Sequence, residues 1–433
     1  MTEHSDRHVS PNMALDQLVA RRRAEGARIV HLGFGESSLP VFPPLVERLT
    51  AGAGRNGYGP VAGSPDVRAA VAGYFSRRGA ATGPEQVVVA PGSKPLLMAL
   101  QQVLPGDLVL PAPAWNTYAP QAELAGKAVV RVPIPAECGG VPEPAALRAA
   151  VRAARAAGRR PGILLLTLPD NPTGTLAGPR LVTELCAVAA EEELTVVSDE
   201  IYRDLVHDPA QPFLSPAQVL PERTIVLTGL SKNLALGGWR IGAARFPAGP
   251  WGRAVRDRVT GYASEVWSTL AGPMQEVAAY AFAEPPELRA HLAASTRLHA
   301  AVARAVHRIV LDSGARCRAP QAGFYLYPDY EPLRAELAAH GVDGSAGLQH
   351  HLLERAGIAV LAGHHLGDDP GALRLRIATS KLYGETAEEQ WQALESANPA
   401  ALPHVAGQLA VIERGLGALA VPPRGVLAAE RSA

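Results

Sequence analysis

The chain of 433 residues contains little cysteine and no long apolar run. Its three cysteines, Cys138, Cys186 and Cys317, lie far apart and form no CxxC pair. This spacing argues against a disulfide framework or a zinc ribbon and favours a reducing compartment. No segment approaches the roughly 18 consecutive apolar residues of a membrane span, and the N-terminal segment is polar and charged. We therefore expect a cytoplasmic protein without a membrane anchor.

The chain also lacks an excess of charge of either sign. Lysine plus arginine and aspartate plus glutamate number 41 each, so the formal net charge is zero. No basic field is present to attract nucleic acid, and the expected partner is a small molecule. Hydrophobic residues make up 47% of the chain, enough at this length for a large core and two or three structural units.

Short apolar runs alternate with alanine-rich helical stretches such as Ala146–Ala157 and Pro179–Glu192. The runs read "QVVVAP", "DLVLP", "AVVRVP", "GILLLTLP", "LTVVSDE" and "TIVLTGLS". This alternation indicates an α/β protein with a mainly parallel sheet covered by helices on both faces. A second, smaller domain is expected to follow the alanine-rich helical region Ala271–Ile309, where "AGFYLYPDY" predicts a strand.

Polar residues follow three of these predicted strands, at the sheet edge where α/β proteins bind ligands. They are found in Asp170-Asn171-Pro172-Thr173-Gly174, in Asp199-Glu200-Ile201-Tyr202 and in Ser231-Lys232. Taken singly, these features are more typical of a turn, a helix cap and a solvated pair. Their order and combined chemistry favour a binding site.

The combination matches what pyridoxal 5'-phosphate (PLP) requires of a protein. Lys232 lies in an apolar setting that would lower its pKa and keep it nucleophilic, as a Schiff-base amine must be. Asp199 is placed to hold the pyridine nitrogen protonated. Asn171 and Tyr202 are neutral hydrogen-bonding groups suited to the ring oxygen.

A phosphate cradle is expected in "PGSKP", where Gly92, Ser93 and Lys94 present backbone donors at a helix N-terminus. Ser231 and Arg240 add a hydroxyl and a guanidinium. Trp115 offers a flat apolar face for stacking on the pyridine ring, although a core tryptophan is the alternative. "GFGESS" lacks the third glycine of a dinucleotide loop, and the histidine pairs lack companion ligands, so we expect no metal site.

Six segments together resemble the ordered signature of the class I/II aminotransferases, the aspartate-aminotransferase family of fold-type I PLP enzymes. They are "YGPVAGSPDVR", "PAPAWNTY", "LPDNPTG", "VSDEIYRDL", "SKNLALGGWRIG" and "LRLRIATS". The resemblance covers roughly Arg28–Leu394. It implies a large domain with a mainly parallel seven-stranded sheet flanked by helices, plus a smaller α+β domain.

The resemblance also implies a role for each matching residue. Lys232 would be the Schiff-base lysine and proton shuttle, Asp199 the partner of the pyridinium, and Trp115 the stacking residue. The groups implied around the ring oxygen and phosphate are Asn171, Tyr202, Gly92, Ser93, Lys94, Ser231 and Arg240.

For the substrate, the resemblance implies that Arg374 grips the α-carboxylate, with contacts from Gly35 and Asn171. A surface ion pair is the alternative for Arg374, and a shift of strand register would select Arg376 instead. Tyr58 resembles a tyrosine that reaches the phosphate of the neighbouring subunit, which implies a homodimer with shared active sites.

The implied domain organisation has four parts. Residues 1–50 form an N-terminal segment packing with the small domain, and residues 51–296 form the large PLP-binding domain. Residues 297–400 form the small domain, and residues 401–433 form a C-terminal helix and a loose tail.

The implied reaction is a two-step transfer of an amino group between an L-amino acid and a 2-oxo acid by ping-pong chemistry. Elimination, decarboxylation and oxidative deamination use the same cofactor and remain the alternative. A non-catalytic PLP or effector-binding module is a further alternative, but no helix-turn-helix extension accompanies it. Glu265 and the loop after Gly35 depart from the family pattern, which leaves the substrate open.

Overall fold

The computed structural model describes residues 9–421. Within that range, no helix is both long and apolar enough to cross a membrane. The strands are β1 (Val30–His31), β2 (Val87–Ala90), β3 (Asp107–Ala112), β4 (Val129–Pro133), β5 (Pro161–Thr167), β6 (Thr195–Asp199), β7 (Thr224–Gly229), β8 (Gly242–Arg245), β9 (Tyr325–Leu326), β10 (Ile358–Ala359), β11 (Leu361–Ala362) and β12 (Leu375–Ala378).

The α-helices alternate with these strands in the first two thirds of the chain and dominate the last third. They are α1 (Pro11–Ala24), α2 (Pro43–Gly52), α3 (Pro65–Arg77), α4 (Ser93–Val103), α5 (Tyr118–Leu124), α6 (Pro144–Ala156), α7 (Pro179–Glu191), α8 (Pro216–Val219), α9 (Gly249–Val266), α10 (Gly272–Ala283), α11 (Pro286–Asp312), α12 (Arg334–Ala339), α13 (Ser345–Ala356), α14 (Ala387–Glu395) and α15 (Pro403–Gly417).

A seven-stranded sheet forms the large domain, in the order β2-β8-β7-β6-β5-β3-β4. Strand β8 is antiparallel to both of its neighbours, and the remaining pairs are parallel. The prediction of a mainly parallel seven-stranded sheet is therefore confirmed. Strands β2, β6 and β7 are buried along their whole length, which explains why they read as continuous apolar runs.

Helices cover both faces of this sheet. On one face, α3 and α10 share an apolar core with β2 and β7, and α6 and α7 share another with β5 and β6. On the other face, α4, α5 and α9 pack against the same strands. The loops that lead from the parallel strands to these helices lie at the carboxyl edge of the sheet, where ligands bind in proteins of this class.

The smaller domain contains an antiparallel sheet, β11-β12-β9, and a two-stranded sheet of β1 and β10. Its core joins α11, α13 and α15, and it includes Val405, Ile412 and Leu416 of the C-terminal helix. The predicted loose tail lies outside the described residues.

The N-terminal segment is divided between the two domains. Strand β1 pairs with β10, and α1 packs through Leu15 and Val19 against small-domain residues. Helix α2 contacts α3 and α10 of the large domain instead.

The expected domain boundary at residues 296 and 297 falls inside α11. Along this helix, Leu288 and Leu292 belong to a large-domain core, and Leu298 and Val302 belong to the small-domain core. The helical region predicted for Ala271–Ile309 is not continuous. It is interrupted at Glu284, whose φ is 55°, and at Pro285, and so forms the two helices α10 and α11.

Candidate active site

A cavity of about 400 Å³ opens at the carboxyl edge of the parallel strands, between the large domain, the small domain and α1. Its walls come from five of the six motifs, and the exception is "YGPVAGSPDVR". The lining residues are Ser10, Asn12, Met13, Phe34, Gly35, Glu36, Ser93, Lys94, Trp115, Tyr118, Thr167, Asn171, Asp199, Ile201, Tyr202, Ser231, Lys232, Gly237, Arg240, Tyr325 and Arg376.

Lys232 lies in the loop after β7 and points into this cavity. Its Nζ donates a hydrogen bond to the carbonyl oxygen of Gly35 at 2.6 Å. Burial lowers the pKa of Lys232 to about 8; Glu36 opposes the shift, while the charges of Arg376 and other nearby cations reinforce it. At pH 7 about a tenth of this amine is therefore uncharged and available as a nucleophile, far more than for an ordinary lysine.

Asp199 ends β6 and is fully enclosed. One carboxylate oxygen accepts a hydrogen bond from Tyr118 at 2.8 Å, and the other accepts from the backbone N–H of Ile201 at 3.3 Å. The Tyr118 hydroxyl also lies 2.9 Å from Thr167 Oγ1. Burial raises the pKa of Asp199 to about 6, and the hydrogen bond from Tyr118 opposes the rise. A cation beside this carboxylate would stabilise its charged form.

Asn171 and Tyr202 meet at the same side of the cavity. The Asn171 amide nitrogen lies 3.5 Å from the Tyr202 hydroxyl, which in turn lies 2.9 Å from the Tyr325 hydroxyl. Burial raises the pKa of Tyr202 well above its ordinary value, so the group is a neutral hydrogen-bonding hydroxyl. This chemistry suits an oxygen that shares a proton with an imine.

Gly92 and Ser93 form the N-terminus of α4 beside Arg240. Gly92 has a φ of 90°, and a Cβ built there would lie 2.2 Å from Arg240 Nη2. A Cβ on Gly242 would lie 2.3 Å from the Gly92 carbonyl carbon, so strand β8 closely supports the turn. Only glycine at these two positions lets free backbone N–H groups, the Ser231 hydroxyl and a guanidinium converge as an anion site requires.

Trp115 lines the cavity next to this anion site. Its ring packs edge-to-face on Tyr118, with centroids 5.2 Å apart, and the Nζ of Lys94 lies 5.3 Å from the indole centroid. Burial, together with the charge of Arg240, lowers the pKa of Lys94. The indole is thus a wall of the cavity, as the stacking prediction requires, and it is not confined to the core.

The prediction for Arg374 is corrected by the structure. Its guanidinium points away from the active-site cavity and pairs with Asp329 and Asp368, each at 3.1 Å. Arg376 lines the cavity instead, 1% exposed, and donates to Gly33 O at 2.8 Å and to Asn171 Oδ1 at 3.3 Å. The physical reason is the register of β12 on β9, which pairs Ala378 with Tyr325 and so brings Arg376 to the cavity.

Arg376 has an unused hydrogen-bond donor. Its Nε is buried without a partner among residues 9–421. A buried guanidinium nitrogen left unpaired is costly, and a carboxylate placed against it would remove that cost. Arg376 is therefore the candidate for binding a substrate carboxylate.

Helix α1 forms one wall of the cavity through Asn12 and Met13, and no motif predicted this. Asn12 accepts from Arg376 Nη2 at 3.4 Å and donates to Asn116 Oδ1 at 3.0 Å. Asp16 fixes the helix through His31 at 3.0 Å and Lys381 at 3.3 Å. These contacts join segments far apart in sequence, so no local spacing reveals them.

Tyr118, Tyr325 and Glu36 also line the cavity and were missed by motif analysis. Tyr118 follows Trp115 by one helical turn, so its position in "PAPAWNTY" was a usable signal. Tyr325 lies in "AGFYLYPDY", whose aromatic pattern predicts a strand but no role in a site. Tyr58, in contrast, is 93% exposed and lies outside the cavity of its own chain.

Comparison with known proteins agrees with this geometry. The family model for aminotransferase class I and II matches residues 27–388. The chain belongs to the aminotransferase class I and II family.

Individual relatives of the aminotransferase are similar over most of their length. The aspartate/prephenate aminotransferase of Thermus thermophilus is 29% identical over 86% of this chain and 92% of its own. The aspartate aminotransferase of Streptomyces avermitilis is 31% identical over 85% and 90%. A solved structure of the Thermus thermophilus aspartate aminotransferase with maleate has a TM-score of 0.77 and 27% identity, covering 89% of this chain and 95% of that one.

Proposed function

We propose that the enzyme holds PLP in the active-site cavity through Lys232 and transfers an amino group between an L-amino acid and a 2-oxo acid. The observation that carries this proposal is the convergence of three groups in one cavity. They are an amine with a lowered pKa, a buried carboxylate and an anion cradle at a helix N-terminus.

The charges of the cavity fit a phosphorylated cofactor. Among residues 9–421, the basic side chains of Lys94, Lys232, Arg240 and Arg376 line the cavity together with two carboxylates, Glu36 and Asp199. Like charges in a low-dielectric site repel one another, and a phosphate dianion beside Ser93, Ser231 and Arg240 would offset that repulsion. The missing Cβ of Gly92 leaves the space in which backbone donors reach it.

PLP, when bound, supplies an electron-withdrawing ring that stabilises negative charge at the substrate Cα. Asp199 would hold the pyridine nitrogen protonated, with Tyr118 keeping that carboxylate in position. Trp115 would lie against the ring, and Asn171 and Tyr202 would donate hydrogen bonds to its oxygen. Lys232 would hold the cofactor through its Nζ and, as a free amine, would move the proton at the substrate Cα.

We assign the substrate α-carboxylate to Arg376, with the backbone of Gly35 beside it. Support comes from the burial of Arg376, its unpaired Nε and its contact with Asn171. A planar guanidinium binds a carboxylate through two parallel hydrogen bonds, which also fixes the orientation of the substrate.

An acidic amino acid is the proposed amino donor. The Thermus and Streptomyces relatives are named as aspartate aminotransferases. The ammonium of Lys94 lies over Trp115 at the cavity wall and forms no side-chain hydrogen bond within residues 9–421, so it is available to a second carboxylate. Glu36 balances part of this charge.

The active unit is proposed to be a cytoplasmic homodimer in which Tyr58 of each chain reaches the phosphate of the other. The exposure of Tyr58 in the single chain is what such a role requires. A hydroxyl that is solvated in one chain gains a charged partner on assembly.

A two-stage absorbance experiment tests the reaction. Purified enzyme mixed with aspartate alone should lose the Schiff-base band stoichiometrically as pyridoxamine phosphate accumulates, and a 2-oxo acid should restore the band. Lys232→Ala serves as the control that cannot complete the cycle. Sustained turnover of one substrate, with ammonia or carbon dioxide released and no oxo acid needed, would assign the enzyme to elimination, decarboxylation or oxidation instead.

A further inference from the structure

A second cavity of about 410 Å³ adjoins the active-site cavity, and the two share three walls. The shared walls are three chain segments, and residues two positions apart in each segment line different cavities. Asn171, Tyr325 and Arg376 line the active-site cavity, whereas Thr173, Tyr327 and Arg374 line the second cavity.

The antiparallel sheet of the small domain produces this alternation. Leu375 and Ile377 of β12 point into the small-domain core. Arg374 and Arg376 therefore lie on the opposite face, two residues or about 7 Å apart. The two cavities are neighbours along one face of the sheet.

The second cavity carries more positive than negative charge. Arg316, Arg318 and Arg374 line it with a single carboxylate, Asp329. Arg374 is neutralised by Asp329 and Asp368, and Arg318 donates through Nε to the carbonyl of Ala136 at 2.7 Å.

Among residues 9–421, Arg316 is the arginine of this cavity whose guanidinium forms no hydrogen bond and no ion pair. It lies two residues from Arg318 on the same short segment. Within residues 9–421 neither guanidinium forms an ion pair, so both can donate hydrogen bonds to an anion.

The remaining walls are apolar or neutral. Pro113, Ile134 and Pro135 form an apolar side, and Thr173 and Thr175 contribute hydroxyls. Cys317 is also a wall, but burial raises its pKa to about 12, so the thiol is neutral and not a nucleophile. This combination suits binding rather than covalent chemistry.

We propose that the second cavity is a binding site for a small organic carboxylate with an apolar body. The carboxylate is held by Arg316 and Arg318, and the apolar body lies against Pro113, Ile134 and Pro135. The ligand does not displace the amino donor, because Arg376 faces the other cavity. This site is independent of the cofactor and the reaction proposed above.

Titration calorimetry with phenylacetate tests the proposal on the purified holoenzyme. Wild type is expected to bind two equivalents per chain, one at Arg376 and one in the second cavity. R316A/R318A is expected to bind one equivalent while keeping its cofactor absorbance. Arg180→Ala, which removes a guanidinium that is 92% exposed elsewhere, is the matched control and should still bind two.

The R376A background isolates the second cavity. There, adding R316A/R318A should weaken phenylacetate binding by about tenfold or more, the usual worth of charge-assisted hydrogen bonds. Unchanged affinity would overturn the proposal, and so would inorganic phosphate binding as tightly as phenylacetate, since the apolar walls would then contribute nothing. If R376A does not fold, the wild-type stoichiometry decides, and a value of one in both wild type and R316A/R318A overturns the site.

Discussion

The cofactor side and the substrate side of the active-site cavity are built from different kinds of strand. Asn171 follows β5, Asp199 ends β6 and Lys232 follows β7. Each of these strands pairs with two neighbours in the buried seven-stranded sheet. Arg376 lies on β12, a strand of four residues in a three-stranded sheet. Its guanidinium is held by Gly33, Asn171 and Asn12, from three separate segments.

This difference indicates a division of labour. The large-domain side is positioned by the sheet before any ligand arrives, which suits a permanent cofactor. The small-domain side depends on contacts between segments, including α1, and suits a substrate that enters and leaves. Substitutions on the first side should therefore affect cofactor and chemistry, and those on the second should affect substrate affinity.

The largest effect is expected from Lys232→Ala. Turnover should fall by about a thousandfold or more, because the variant loses the group proposed to move the proton, while the proposed anion site and Asp199 should still hold the cofactor. Steady-state rates and the absorbance of bound cofactor measure the two properties separately. Lys127→Arg is the control outside the cavity. Near-normal turnover of Lys232→Ala would contradict the assignment of cofactor binding and chemistry to the large-domain side.

Arg376→Ala is expected to raise KM for the amino donor by about a hundredfold, since charge-assisted hydrogen bonds to the α-carboxylate are lost. Arg374→Ala is the matched control, two residues away with its own ion pairs, and should change KM by less than about threefold. Comparison of KM values across the two variants is the measurement. The opposite pattern would restore Arg374 as the substrate residue.

This pair of arginines also shows where prediction from sequence stops. The buried parallel strands are recognisable in the sequence as apolar runs. Asp199 and Lys232 come at or just after the ends of two such runs, so their place at the sheet edge could be predicted. "RLR" offers two arginines on the same face, and the register of a short antiparallel strand depends on its partner β9, which sequence spacing does not reveal. The contacts of α1 with Arg376 and Asn116 are equally beyond local patterns, because they join residues 364 and 104 positions apart.

Asp199→Asn is expected to raise the free energy of unfolding and to lower turnover. The pKa of Asp199 in the folded, cofactor-free protein is about 6, above the usual 3.8, so the cost of its ionisation to folding grows as the pH rises from about 4 to 6 and is constant above that. Removing the charge is expected to stabilise that protein by about 3 kcal/mol at pH 8, and by about half as much at pH 5, where the folded wild-type carboxyl is already mostly protonated. Urea unfolding at the two pH values measures this gain, and a gain independent of pH would contradict the cause given. The same variant should lose turnover.

The smallest effect is expected from Tyr58→Phe. Loss of one hydrogen bond to a phosphate across the dimer should weaken cofactor retention by about fivefold. Tyr280→Phe, on the outer side of α10, is the control and should have no effect. Cofactor dissociation followed by absorbance measures the difference, and a fully active monomer would rule out the intersubunit role.

Borohydride reduction followed by peptide mapping tests the central claim most directly. The chain has four lysines, Lys94, Lys127, Lys232 and Lys381, and two of them, Lys94 and Lys232, line the active-site cavity. Reduction of the purified enzyme should attach the cofactor to the peptide containing Lys232 alone. A label on Lys94 or any other lysine, or no bound cofactor at all, would contradict the account.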